Sequence, residues 1–78
     1  MTKKYTSDDL ESLSKTRGWQ LHAGGESGQE GTLEEVAKAA HARRVRGEHP
    51  GIIRQIETAV ELEMLQLERL WRYLGLPV

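Results

Sequence analysis

The chain has 78 residues, enough for one domain near the lower size limit for a single hydrophobic core. Eleven lysines and arginines nearly balance twelve aspartates and glutamates, which argues against a globally basic nucleic-acid binder. There is no cysteine for a disulfide or a thiolate metal site, and no apolar run suits a signal peptide or a membrane span. We therefore expect a single cytoplasmic domain over residues 1–78.

The first predicted element is a short helix over residues 7–16. Thr6 and Asp9 have the spacing of a capping pair, and Leu10 and Leu13 form a narrow apolar stripe. Gly18 is well placed to end the helix because glycine readily adopts the left-handed conformation.

Residues 19–31 carry no helical pattern. Trp19 and Leu21 flank a polar residue as in a strand, but the sequence offers no evident partner strand, so whether a strand forms stays open. We expect an extended segment that packs Trp19 and Leu21 against the helices. Residues 22–31 contain four glycines and no large apolar side chain, which predicts a flexible loop. They lack the lysine and the serine or threonine of a phosphate-binding loop.

A second helix is predicted to begin after Thr32, which forms a capping box with Glu35. Its apolar residues recur at helical spacing: Leu33, Val36, Ala37 and Ala40. Basic residues in its last turn match the negative end of the helix dipole, and Gly47 is the expected cap.

The third predicted helix is the longest and runs from about Pro50 to Leu74. Ten of its apolar residues fall on one arc of the helical wheel: Ile52, Ile53, Ile56, Ala59, Val60, Met64, Leu67, Leu70, Trp71 and Leu74. The short connection at residues 46–49 predicts an antiparallel hairpin with helix 2, in which Ala37 and Ala40 face Ile53, Ile56 and Val60. The expected fold is therefore all-α, a small three-helix domain with a long C-terminal amphipathic helix.

The distribution of apolar residues predicts a binding partner for this helix. Valine, isoleucine, leucine, methionine, tryptophan and tyrosine together number nine in residues 1–50 and fourteen in residues 51–78. Helices 1 and 2 are too short to cover that surface, so we expect a homodimer or a complex with another protein, in the manner of a coiled coil. The expected partner-binding residues are Val60, Glu63, Met64, Leu67, Leu70, Trp71 and Leu74. Should Leu67 and Trp71 instead be buried within a stable monomer, the alternative is a compact three-helix fold around Trp19.

Glu63 is out of place on this apolar arc. It lies at a heptad core position, where a single polar residue can fix the register of a coiled coil. The alternative is a slight rotation of the helix that brings the carboxylate to water, since unpaired burial of a charge is costly.

A basic segment between helices 2 and 3 suggests a second function. Arg43, Arg44, Arg46 and Arg54 can contact nucleic acid or an acidic protein surface, as in a dimeric DNA-binding regulator with a helix-turn-helix. Glutamates on the exposed face of helix 3 weaken this hypothesis because they would repel phosphate. The alternative without a binding function is a helix C-terminus followed by a solvated linker, where basic side chains are expected because they interact favourably with the helix dipole.

No pattern in the sequence indicates catalysis, a metal site or a cofactor. His22, His41 and His49 are too scattered for metal-ligand spacing, and no serine lies in a nucleophile-elbow pattern. We therefore expect a non-enzymatic protein-interaction module, such as a small regulator, adaptor or inhibitor, with no small-molecule substrate.

Overall fold

A computed structural model of the chain describes residues 5–24 and 28–78. Within these residues the chain forms three helices and a three-stranded sheet, in the order α1 (Ser7–Leu13), β1 (Trp19–His22), β2 (Gln29–Gly31), α2 (Leu33–Val45), β3 (Ile52–Gln55) and α3 (Met64–Tyr73). The fold is thus α+β, and the all-α prediction is wrong.

Strand β1 lies at the centre of an antiparallel sheet with the order β2-β1-β3. Leu21 is paired with Gln29 on one side and with Ile53 on the other. The segment around Trp19 and Leu21, for which the sequence offers no evident partner strand, therefore pairs with two strands. Both ends of the predicted loop, His22 and Gln29–Gly31, belong to strands; of this loop, residues 25–27 lie outside the described residues.

The predicted long helix is interrupted because residues 50–63 favour extended structure. Gly51 has φ +96°, outside the right-handed helical region, and Ala59 closes a turn at φ +59°. Between them, branched side chains such as Ile52 and Ile53 favour a strand. The turn brings residues 60–62 back along β3, where Leu62 N–H donates to Ile53 O at 2.9 Å.

The predicted N-caps of α1 and α2 and the Gly47 cap are confirmed, whereas Gly18 does not end α1, whose C-cap is Ser14. Thr6 with Asp9 and Thr32 with Glu35 form reciprocal capping boxes at the starts of α1 and α2. Helix α2 ends with Gly47 at φ +84°, as the sequence predicts. Helix α1 is shorter than expected because it ends at Leu13 rather than near residue 16.

The core lies between the helices and one face of the sheet. Its buried residues are Leu10, Trp19, Leu21, Leu33, Val36, Ala37, Ala40, Ile53, Leu67, Leu70 and Trp71. Trp71 Nε1 donates to Ala37 O at 2.9 Å, which satisfies the buried indole where α3 crosses α2. The predicted hairpin of helices 2 and 3 is therefore wrong: α2 leads into β3, and α3 packs against α1 and α2. Over the described residues, no helix combines the length and the apolar character needed to cross a membrane.

Candidate functional site

The predicted partner-binding seam is divided between the core and the surface. Leu67, Leu70 and Trp71 are 3%, 1% and 1% exposed, so a partner cannot reach them in the folded chain. Met64 and Glu63 are exposed, while Val60 and Leu74 are half-buried. Because the long amphipathic helix does not exist, the argument for a coiled-coil partner on this seam loses its premise.

Glu63 is not a buried polar residue that sets the register of a coiled coil. It directly precedes α3, and its backbone N–H donates to Gln66 Oε1 at 2.9 Å. Its carboxylate is exposed to water, as in the second of the two alternatives that the sequence allows. The reason for the exposure is that Glu63 lies at the start of α3, and no rotation of a longer helix is involved.

The four arginines of the basic segment lie on two different elements. Arg43 and Arg44 belong to the last turn of α2, and Arg46 caps it. Arg54 lies in β3, where its Nη2 donates to Gln20 Oε1 at 3.4 Å. Since a strand follows the turn, the helix-turn-helix geometry expected for a DNA-binding regulator is absent.

Two of these arginines, Arg43 and Arg46, line a cleft between the end of α2 and the β1–β2 hairpin. We call this site the basic cleft; its volume is about 270 Å³, and its lining is Leu21, Ala23, Gln29, Ala39, Ala42, Arg43 and Arg46. The four α2 residues recur at i, i+3, i+4 and i+7, which places them on one helix face. The buried Leu21 and the alanines provide an apolar lining, and the two guanidinium groups provide positive charge.

Glu48 holds both guanidinium groups at the basic cleft. Its Oε1 lies 3.3 Å from Arg43 Nη2, and its Oε2 lies 2.7 Å from Arg46 Nε. The hydrogen bond from Arg46 is the main cause of a lowered pKa for the Glu48 carboxyl, with the charges of Arg46 and Arg43 adding to it. Arg43 is held independently, because its Nε donates to His49 O at 3.1 Å.

Backbone hydrogen bonds fix the position of Glu48 relative to the end of α2. Glu48 N–H donates to Arg43 O and Gly47 N–H donates to Arg44 O, both at 3.0 Å, which is the Schellman pattern of helix C-caps. The side chain of Glu48 therefore starts directly over the last turn of α2, within reach of Arg43 and Arg46.

A second polar cluster lies on the sheet face opposite the core. His22 Nε2 is 2.6 Å from Gln20 Oε1 and 3.1 Å from Arg54 Nη2. Among residues 5–24 and 28–78, no three His, Asp or Glu side chains come close enough to hold a metal ion. The basic cleft is the better candidate site because it combines a concave shape with charge and apolar contact.

The sequence identifies Arg43 and Arg46 as possible contacts but misses the rest of the cleft. Ala39 and Ala42 could have been found with them from their shared helical face. Leu21, Ala23 and Gln29 reach the cleft only because β1 pairs with β2, and the sequence does not predict this pairing. No family model, curated protein or solved structure matches this chain.

Proposed function

We propose that the chain is a non-enzymatic protein-interaction module that binds an acidic, partly apolar segment of another protein in the basic cleft. The observation that carries the proposal is the lining itself, in which Leu21 and three alanines lie beside the guanidinium groups of Arg43 and Arg46. An aliphatic side chain of the partner would fill the apolar part, and a neighbouring carboxylate would pair with the arginines.

The same lining favours a protein segment over nucleic acid. Sugar and phosphate gain little from an apolar wall, and none of the described residues that line the cleft has an aromatic side chain to stack on a base. Trp19 and Trp71, the two tryptophans, are in the core. Duplex DNA is therefore the competing ligand in the test and not the proposed one.

The proposal does not include the homodimer expected from the sequence, because the core residues of its seam are buried in their own chain. It does not include catalysis, because none of the described residues that line the cleft is a nucleophile or a general base. The compartment proposed for this interaction is the cytoplasm, since a chain without cysteine needs no oxidising environment for its stability.

The test is a titration of the isotope-labelled protein followed by the NMR shifts of its backbone amides. The probe is a decapeptide that alternates aspartate and leucine, with one control peptide in which asparagine replaces every aspartate and another in which serine replaces every leucine. We expect shifts at Leu21, Ala23, Ala39 and Ala42, with a Kd on the order of 100 μM because the cleft is small and open. Both control peptides should bind at least about tenfold more weakly.

Matched variants distinguish binding in the basic cleft from nonspecific attraction by the positive charge of the protein. Arg43→Gln with Arg46→Gln should abolish the shifts, whereas Arg17→Gln with Arg72→Gln, which removes two exposed arginines elsewhere, should leave them in place. Two results would overturn the proposal: no shift at the cleft with millimolar peptide, or a 12-base-pair DNA duplex that binds more tightly than the peptide and loses its binding in the cleft variant.

A further inference from the structure

The free chain pairs the two arginines of the basic cleft with a carboxylate of its own. Glu48 contacts Arg43 through one oxygen and Arg46 through the other, so the two guanidinium groups bind one carboxylate between them. We propose that Glu48 is a built-in competitor that occupies this two-arginine receptor until a carboxylate of the partner replaces it. This inference rests on the proposed function. It adds that the group bound by the arginines is a carboxylate and that the partner binds by displacing Glu48.

The exposure of the contact makes the exchange feasible. The side chain of Glu48 is 42% exposed and that of Arg46 is 58% exposed, so water reaches the ion pair and can solvate Glu48 once it leaves. Ion pairs of this kind contribute little to stability because both groups are well hydrated when they separate. A partner therefore gives up little of its binding energy to displace Glu48.

One half of the receptor, Arg43, is held in place without Glu48. Arg43 Nε is held by the carbonyl of His49, and Arg43 is only 24% exposed. The backbone of residues 47 and 48 is fixed by hydrogen bonds to α2, which do not involve the Glu48 side chain. The guanidinium of Arg43 is thus oriented in advance for the incoming carboxylate, which lowers the entropic cost of binding.

The test is the variant Glu48→Gln, which keeps the size of the side chain and removes its charge. Its affinity for the aspartate–leucine peptide should rise by roughly three- to tenfold over that of the native chain, since the competing carboxylate is gone. The control Glu30→Gln removes the same charge from β2, where strand alternation places residue 30 on the face opposite the cleft-lining Gln29. This control should change the affinity by less than about twofold.

The outcomes separate the inference from the function on which it rests. If the peptide binds the native chain and Glu48→Gln leaves its affinity unchanged or lowers it, the competitor role is wrong and the proposed function stands. An equal gain from Glu30→Gln would also overturn the inference, because net charge alone would then explain the effect. So would an equal gain for the asparagine peptide, because the gain would then not depend on a carboxylate of the ligand. If neither the native chain nor Glu48→Gln binds the peptide, the proposed function fails and the inference fails with it.

Discussion

Gly51 is the residue at which the chain departs from the helix that its neighbours suggest. Its φ of +96° is unfavourable for any residue with a side chain, and the backbone there passes close to strand β1. A Cβ at this position would lie 2.7 Å from His22 O and 2.9 Å from Leu21 Cδ1. Both the conformation and the close approach therefore require glycine, which is what allows β3 to pair with β1.

Replacement of Gly51 by alanine should destabilise the fold by about 2–4 kcal/mol, from backbone strain and from overpacking against β1. The matched control is Gly47→Ala. Gly47 has a similar φ of +84° but no atom within 4 Å of the added Cβ, so only the conformational cost of about 1 kcal/mol applies. Urea denaturation of the two variants measures the difference. Equal losses of stability would show that the contact with His22 O is not what requires glycine at residue 51.

At the scale of elements, the sequence predicts local structure well and long-range pairing poorly. The capping boxes at Thr6 and Thr32 and the glycine cap at Gly47 depend on neighbouring residues, and all three are confirmed. The strands depend on partners that are distant in sequence, such as Leu21 with Ile53. The sequence therefore leaves a strand at Trp19 and Leu21 open and does not predict β2 or β3. The apolar spacing of residues 52–60 fits a helical period, although their branched side chains favour a strand.

The candidate site follows the same division. Arg43 in the last turn of α2 and Arg46 at its C-cap are close in sequence, so the sequence indicates them as a cationic helix end. Their role at a cleft depends on the hairpin that carries Leu21 and Gln29, and this could not be known without the sheet. The chain offers only one alternation of apolar and polar residues in β1, too short a signal to identify a central strand.

The start of α2 should make the stability of the fold depend on pH. The backbone N–H of Thr32 donates to Glu35 Oε1 at 2.9 Å, and this hydrogen bond is the main cause of a lowered pKa for the Glu35 carboxyl. Because the pKa of the folded state is below that of the unfolded state, the stabilisation is present above the unfolded value of 4.5 and is lost as the pH falls through the folded value.

The variant Glu35→Gln keeps an oxygen that accepts from Thr32 but cannot titrate. We expect the free energy of unfolding of the native chain to fall between about pH 6 and about pH 3, and that of the variant to fall less over the same range. Glu34, whose pKa is lowered chiefly by the hydrogen bond from Lys15, accounts for part of the fall that remains in both proteins. Identical pH profiles for the two proteins would contradict the assignment of this dependence to Glu35.

At the scale of the whole molecule, the apolar excess of the C-terminal part is divided between the core and the surface, since four of the fourteen large apolar side chains in residues 51–78 are buried and six are exposed. Residues 51–78 supply two elements to the core, β3 through Ile53 and α3 through Leu67, Leu70 and Trp71. Trp19 on the central strand is fully buried with them. The sequence alternative of a compact fold around Trp19 is therefore closer to the structure than the long helix, although that alternative contained no sheet.

Two neighbouring leucines on α3 distinguish a core role from an interface role. Leu67 is 3% exposed and belongs to the core, whereas Leu65, two residues earlier in the chain, is 58% exposed. Leu67→Asp should unfold the chain, because an unpaired buried carboxylate costs about 4 kcal/mol or more, against a total stability of about 5 kcal/mol for a domain of this size. Leu65→Asp should change the stability by less than about 0.5 kcal/mol.

Far-UV circular dichroism and sedimentation of both variants test this assignment. The expected result is loss of helix signal and of cooperative melting in Leu67→Asp, with native spectra and native mass in Leu65→Asp. A partner-binding seam predicts the opposite for Leu67→Asp, namely retained helix content with a lower mass in solution, because the substitution would then disrupt an interface and leave the fold intact. Since α3 packs against α1 and α2 and Leu67 belongs to the core of the same chain, unfolding is the outcome that the structure requires.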